Sequence, residues 1–294
     1  MGKIVRALSE DGSVLCIAVD STDIVNEIFK IHRTTPVVSA ALGRTATAAV
    51  MMGSLLKNKE DSLTLRIDGK GHCGMIIAVS DYMGNVKCYC ANTNVQLPLN
   101  SKGKLDVGGC VGKDGYLSVI KDMGLKEPYV GQIPLVSGEI GDDITAYYAI
   151  SEQIPTVCGL GVLVDRDWSI KKAGGFLVQL VPPINEDAIG IVENNIKNIT
   201  SVTEMMEKGF SPEDIVNKAL DTLNPSILDS WEVGYKCTCS RQRMKKALIS
   251  IGKSDLQELA DTQENIELSC HFCDKKHSFS REEIKEVLRN SNGG

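Results

Sequence analysis

Four cysteines near the C-terminal end carry the most specific chemistry in this sequence. They are Cys237 and Cys239 in Lys236-Cys237-Thr238-Cys239-Ser240, and Cys270 and Cys273 in Ser269-Cys270-His271-Phe272-Cys273. Two close thiol pairs separated by a helix-length stretch make the ligand set of a tetrahedral Zn²⁺ site, which takes two sulfurs from each of two tight turns. The first pair is Cys-x-Cys, where ordinary zinc ribbons use Cys-x-x-Cys twice. Thiols this close in sequence are also candidates for disulfides, so a metal site made only of thiolates can double as a redox switch.

The simplest role is structural. Zinc binding supplies ~10–16 kcal/mol of folding free energy to a small module. That matches or exceeds the whole stability of a typical domain, ~5–15 kcal/mol, so losing the metal should unfold the module. A redox role runs the same arithmetic in reverse, because oxidised thiolates are no longer ligands. A disulfide within Cys-x-Cys closes a strained ring with the higher reduction potential of regulatory bridges, and one within Cys-x-x-Cys is less strained. Pairing within each turn needs little chain movement and leaves no long-range cross-link. Lys236, Arg241, Arg243, Lys245, Lys246, Lys275 and Lys276 crowd the four cysteines in sequence; they are expected to compensate the thiolate charge and keep the sulfurs deprotonated. A nucleic-acid-binding ribbon is the competing reading, but the stretch lacks interleaved stacking aromatics. His271 and His277 could replace a ligand, although the cysteines already complete the set.

Other candidates are weaker. Cys88-Tyr89-Cys90 is a second Cys-x-Cys, with His72 and Cys73 one strand earlier. Val86, Cys88 and Cys90 would share one face of a strand, so buried core thiols are the expected role and a second metal or redox site the alternative. Cys16, Cys110 and Cys158 sit in apolar or glycine-rich settings and read as packing residues. Asp68-Gly69-Lys70-Gly71-His72-Cys73-Gly74 lacks the Gly-Lys-Ser/Thr ending of a phosphate loop and reads as a hairpin turn. Gly103 to Gly115 reads as a surface loop. There is no Gly-x-Ser-x-Gly elbow, no His-Glu-x-x-His and no acid/base pair, so no enzyme activity is expected. A dithiol oxidoreductase cycling Cys270 and Cys273 is the enzymatic alternative.

The chain of 294 residues carries a net charge of −6, with 43% hydrophobic and 24% charged residues. These values describe an ordinary globular protein of two domains, or one domain with appendages. The acidic balance argues against general nucleic-acid affinity, since phosphate binding needs a basic face. No apolar run approaches the ~20 residues of a membrane span, and Met1 to Asp20 lacks the pattern of a secretory signal. Ten cysteines without such a signal are expected to be free thiols, ligands or sensors in the cytosol.

The elements around the cysteines follow from periodicity. Val14 to Val19 is a continuous apolar run of strand length, and Leu63, Leu65 and Ile67 alternate with polar residues. Further strands are expected near Met75–Val79, Val86–Cys90, Leu117–Lys121, Tyr129–Val136, Val157–Val164 and Phe176–Val181. Helices are expected over Asp23–Ile31, from Pro36 (with Thr35 as N-cap) toward Leu56, and from around Glu139 to before Pro155. Residues 1–182 therefore read as an α+β domain. Ile189, Val192, Ile196, Ile199 and Val202 recur at helical spacing up to Gly209, and Ser211-Pro212-Glu213-Asp214 caps a second helix ending at Pro225. Residues 183–230 thus form an amphipathic helical linker whose apolar stripe must lie on the first domain. Residues 231–294 are the small zinc-binding module, which buries too little to fold securely without its metal.

Taken together, these motifs resemble the thirty-three-kilodalton redox-regulated heat-shock chaperone (chaperonin) family. The resemblance rests on Cys237-Thr238-Cys239-Ser240-Arg241 with Met244 and Ala247-Leu248, then on Cys270-His271-Phe272-Cys273. Tyr129-Val130-Gly131-Gln132-Ile133-Pro134-Leu135 and Ser151-Glu152-Gln153-Ile154-Pro155-Thr156 extend it over essentially the full length. It implies an ATP-independent holdase of the bacterial cytosol that protects unfolding and oxidatively damaged proteins from aggregation. It implies one Zn²⁺ per chain on Cys237, Cys239, Cys270 and Cys273 in an inactive reduced form. Oxidation then forms the disulfides Cys237–Cys239 and Cys270–Cys273, releases the metal, unfolds the module and linker, and yields an active homodimer. Membrane and nucleic-acid partners are not expected. Cys88 and Cys90 are not part of the family's switch.

Overall fold

The computed structural model describes residues 1–182, 185–199, 201–249 and 252–290. The chain divides into two compact units, Met1–Lys236 and Cys237–Gly294.

Two five-stranded antiparallel sheets build the first unit. One contains β1 (Gly2–Leu8), β2 (Val14–Asp20), β8 (Thr156–Val164), β9 (Ile170–Leu180) and β10 (Ser226–Val233), in the order β10-β1-β2-β9-β8. The other contains β3 (Ser62–Asp68), β4 (Ile76–Asp81), β5 (Val86–Cys90), β6 (Tyr116–Asp122) and β7 (Tyr129–Pro134), in the order β5-β4-β3-β6-β7. This mixed sheet-and-helix fold is the α+β class expected. Between the sheets runs α2 (Pro36–Gly53), buried along almost its whole length. Its small residues explain why it fits there: Gly43 lies so close to Val25 and Val162 that a Cβ would come within 2.7 and 2.8 Å of them. Thr35 precedes the helix as expected, but its hydroxyl donates to the Val95 carbonyl at 2.6 Å instead of capping α2. Helix α1 (Thr22–His32) packs beside α2, and the short α3 (Val107–Val111) lies within the stretch expected to be loop. Helix α4 (Gly141–Tyr147) continues as a π-helical turn over Tyr148–Glu152.

The first sheet is apolar on both faces, and this accounts for the unbroken run from Val14 to Val19. Ile4, Ile17, Val19 and Leu177 join the core that surrounds α2. Val5, Ala7, Cys16, Ala18, Phe176 and Val178 form a second core on the opposite face. That face is covered by α5 (Glu186–Lys197), α6 (Val202–Glu207) and α7 (Pro212–Ala219), through Ala188, Val192, Met205, Met206, Ile215, Val216 and Ala219. The amphipathic linker therefore lies on the first unit, as three helices where two were expected. The starting point expected for it, Pro183, and Thr200 between α5 and α6 lie outside the described residues.

The far end of the linker differs from the sequence expectation. Ser226–Val233 is neither helical arm nor metal module; it is the edge strand β10, paired antiparallel with β1 from Gly2↔Val233 to Leu8↔Ser226. Arg6 and Asp229 are cross-strand partners in an ion pair, and the Arg6 guanidinium lies 5.0 Å from the Trp231 ring centre. The Trp231 indole N–H donates to the Met83 carbonyl at 2.8 Å. Beyond the strand, the Val86 amide donates to the Gly234 carbonyl at 3.0 Å, and the Lys236 amide to the Val86 carbonyl at 2.8 Å. The compact second unit accordingly begins at Cys237, not at Trp231.

Within it, β11 (Asn265–Ser269) and β12 (Lys276–Ser280) make a hairpin. Helices α8 (Arg241–Ile249), α9 (Lys253–Thr262) and α10 (Arg281–Asn290) surround it, sharing a small core centred on Leu248, Leu256, Ile266, Phe279 and Ile284.

One half-buried ion pair near the edge of the second sheet makes a test of the first unit alone. Lys121 Nζ lies 2.7 Å from Glu152 Oε1, which also accepts from the Tyr147 hydroxyl. Burial pushes the Glu152 carboxyl up, but the Lys121 and Tyr147 hydrogen bonds outweigh it and hold it below the usual glutamate range. Glu152→Ala removes the carboxylate that both Tyr147 and Lys121 hydrogen-bond and should cost ~1–3 kcal/mol. Both tryptophans, Trp168 and Trp231, lie in the first unit, so urea unfolding followed by tryptophan fluorescence measures it. Because the folded-state value is depressed, the wild-type advantage is present above the ordinary carboxylate range and disappears as pH falls through the lowered value.

Candidate metal centre

Each cysteine pair is held by a turn of defined chemistry. Cys270 and Cys273 occupy the loop between β11 and β12. There the Cys270 amide donates to the Lys275 carbonyl at 3.0 Å, and the Asp274 amide to the Cys270 carbonyl at 2.8 Å, with Asp274 at φ +55°. Cys237 and Cys239 precede α8. Ser240 starts that helix, its carbonyl accepting from the Met244 amide at 3.0 Å and its hydroxyl from the Arg243 amide at 3.2 Å. Arg243 also ties the Cys-x-Cys turn itself, donating to Thr238 Oγ1 at 2.6 Å and to the Thr238 carbonyl at 3.1 Å.

The two turns bring four sulfurs together. All four Sγ atoms lie within 4.8 Å of one another, with Cys237 and Cys270 3.7 Å apart and Cys239 and Cys273 3.4 Å apart. A tetrahedral Zn²⁺ with ~2.3 Å bonds to sulfur places its ligands ~3.8 Å apart, so the set fits that ion. The close pairs run between the turns, but a tetrahedral set is nearly equidistant and does not by itself select a disulfide pairing. Cys270 is buried and the other three are half-buried.

The electrostatics favour a cation. Burial raises Cys237, with Cys273 and Cys270 adding to the effect and hydrogen bonds from Cys239 opposing it. Burial also pushes Cys239 up to about 12, with its thiol neighbours adding to the effect. Burial also opposes the Cys270 thiolate, but amides of Phe272 and Cys273 hydrogen-bond to it, and its thiol neighbours donate as well, leaving it below the ordinary thiol range. Four thiolates this close repel one another, and a dication relieves that repulsion.

His277, which could in principle replace a ligand although the cysteines complete the set, is buried on β12 with Nε2 3.8 Å from Cys239 Sγ. It contacts the sulfur from outside the four-thiol set. His271 is exposed and lies outside the set. Three of the seven basic residues expected to compensate the site, Arg241, Lys245 and Lys276, have acidic partners of their own. Arg241 makes a bidentate pair with Glu283 at 2.6 and 2.8 Å and stacks on Phe279 at 4.8 Å. Lys245 pairs with Glu286 at 2.7 Å and Lys276 with Glu267 at 2.7 Å. These contacts tie α8 to α10 and β11 to β12, so the cations serve the module's framework. Sequence spacing could not show this, since Glu283 and Glu286 lie some forty residues along the chain from their partners.

Comparison with known proteins agrees with this geometry. The profile of the Hsp33 protein family matches residues 2–280. The chain belongs to the Hsp33 family. It is similar to the 33 kDa chaperonin of Clostridium acetobutylicum, 48% identical over 288 residues that cover 98% of this chain and 97% of that protein. The 33 kDa chaperonin of Clostridium botulinum strain Langeland is 46% identical, with the same coverage. The crystal structure of the 33 kDa chaperonin (heat shock protein 33 homolog) of Thermotoga maritima superposes with a TM-score of 0.90 at 35% identity, covering 99% of both chains. Membership of this family supports a chaperone function. No helix among the described residues is long and apolar enough to cross a membrane.

Two substitutions separate ligand from neighbour. Removing an outer partner of a metal ligand typically costs ~10–100-fold in affinity; His277→Ala should fall in that range. Cys237→Ser removes a thiolate outright and should lose more than ~100-fold against the same yardstick. Competition with a chromogenic zinc chelator measures both, and equal affinities for the two variants would contradict the assignment of ligands.

Proposed function

We propose that this Hsp33-family chain is an ATP-independent holdase held inactive by zinc and activated by oxidation. Zinc on Cys237, Cys239, Cys270 and Cys273 would cross-link two turns of a module with only a small apolar core. The observation that carries the proposal is this all-thiol cluster, in a unit separated from the end of β10 by only three residues.

The steps follow from the chain's own residues. With the pairing that the family resemblance implies, hydrogen peroxide oxidises Cys237 with Cys239, and Cys270 with Cys273. Each disulfide passes two electrons to one peroxide, which becomes two waters, and all four ligands are lost. Each bridge stays within its turn, so nothing then joins the turns, and a core the size of that around Leu248 and Phe279 does not hold them alone. Unfolding of the module frees β10 and the linker from their C-terminal anchor. Helices α6 and α7 are six and eight residues long, too short to persist without packing. Their departure uncovers Val5, Ala7, Ala18, Phe176 and Val178 of the first sheet, together with the helices' own apolar faces. Contiguous apolar surface of this kind binds unfolded chains. The partners are thus unfolded and oxidatively damaged proteins, met in the cytosol, and two activated chains form a homodimer.

Light scattering from a chemically unfolded client diluted into buffer tests the proposal. Protein oxidised by peroxide under mildly unfolding conditions should suppress aggregation, and the reduced zinc-loaded protein should not. Equal suppression by both forms would leave the cysteines a structural zinc site. Catalytic turnover in insulin reduction would instead favour a dithiol oxidoreductase.

A further inference from the structure

Six of the ten cysteines lie outside the metal centre, and all six are buried. Three of them converge beneath the turn joining β3 to β4: Cys73 in that turn, Cys110 on α3 and Cys90 at the end of β5. The backbone joins the first two directly, the Cys73 amide donating to the Cys110 carbonyl at 3.1 Å and the Gly71 amide to the Val111 carbonyl at 3.0 Å. Glycine permits this approach, since a Cβ on Gly71 would lie 2.3 Å from the Val111 carbonyl carbon. A direct backbone hydrogen bond between the two residues themselves brings them to the neighbourhood that a disulfide needs, ~4.4–6.8 Å between Cα atoms.

The three thiols are not equivalent. The neighbouring Cys110 thiol holds Cys73 below the ordinary thiol range in spite of burial, and Cys73 in turn holds Cys110 above that range; the Cys73 S–H donates to the Gly74 carbonyl at 3.6 Å. Cys90 is engaged elsewhere: its S–H donates to the Asn92 carbonyl at 3.2 Å, and burial, with Cys73 beside it, pushes it up to about 12. The Cys73–Cys110 pair lies one residue below the surface, because the chain neighbours His72 and Gly109 are exposed.

We propose that Cys73 and Cys110 are a redox pair of their own, closing to a disulfide that ties the β3–β4 turn to α3 when the protein meets hydrogen peroxide. The Cys73 thiolate attacks one peroxide oxygen, the O–O bond breaks, and hydroxide leaves as water with the proton lost from Cys73. The Cys110 sulfur then attacks the Cys73 sulfenic acid; the S–S bond forms, the S–O bond breaks, and the hydroxyl leaves as water with the Cys110 proton. Two thiols lose two electrons and peroxide becomes two waters. The bridge closes β4, β5 and the following loop into a covalent ring, which constrains the unfolded first unit. The step needs two thiols and peroxide, and does not depend on the role of the zinc cysteines.

Peptide mapping of the full-length, zinc-loaded protein tests this. After peroxide treatment, acid quenching and blocking of free thiols, trypsin places Cys73 on Gly71–Lys87, Cys110 on Leu105–Lys113, and both Cys88 and Cys90 on Cys88–Lys102. The expected product is Gly71–Lys87 linked to Leu105–Lys113 in most molecules, and abolished by dithiothreitol. Oxidised wild type should also show a higher fluorescence Tm than oxidised Cys110→Ala. The proposal is overturned if Cys73 and Cys110 stay alkylatable while the four zinc cysteines oxidise, or if Cys73 links to Cys88–Lys102. The wild-type map decides even where Cys110→Ala fails to fold.

Discussion

A sheet that is apolar on both faces needs two covers, and the first sheet of this protein has one permanent and one built from short pieces. Ile4, Ile17, Val19 and Leu177 face α2 and the second sheet behind it. The opposite face, from Val5 to Val178, is closed by α5, α6 and α7. Those helices are amphipathic and brief, so their order comes from packing on the sheet and little of it from helix propensity. The cover and the surface it hides stabilise each other.

The metal centre has the same dependence at smaller scale. Four thiols within 4.8 Å make a poor cluster without a cation and a strong one with it. The module's core is a handful of side chains around Phe279, backed by ion pairs such as Arg241–Glu283 that are solvent-exposed and individually weak. On the proposed zinc loading, the site would supply most of the module's stability and would be the place where one chemical change removes it. The chain from α7 through β10 to Cys237 connects the two dependences. Arg6, Met83 and Val86 grip its last stretch within the first unit.

Much of this was legible in the sequence because it rests on local pattern. The unequal cysteine pairs announced the four-thiol cluster, and alternation at Leu63–Leu65–Ile67 announced β3. The apolar run from Val14 to Val19 announced a strand, and the structure shows why it is unbroken: both of its faces are buried. What was hidden depends on partners distant in sequence. Ser226–Val233, just after Pro225 and with Asp229 and Ser230 in its middle, does not look like a strand. It becomes one because β1 offers an edge more than two hundred residues earlier and Arg6 meets Asp229. The tasks of Arg241, Lys245 and Lys276 were misassigned for the same reason. Cys110 looked like a packing thiol and Cys73 was grouped with Cys88 and Cys90, because only the fold places α3 against the β3–β4 turn.

The central claim is that the module's integrity and the linker's docking are coupled, and hydrogen exchange with peptide resolution tests it most directly. Reduced zinc-loaded protein is compared with protein oxidised until its zinc has been released. The account predicts that α8, α9 and α10 lose protection together with α5, α6 and α7, while β2, β3 and α2 keep theirs. Loss confined to the module, with the linker helices as protected as before, would contradict it.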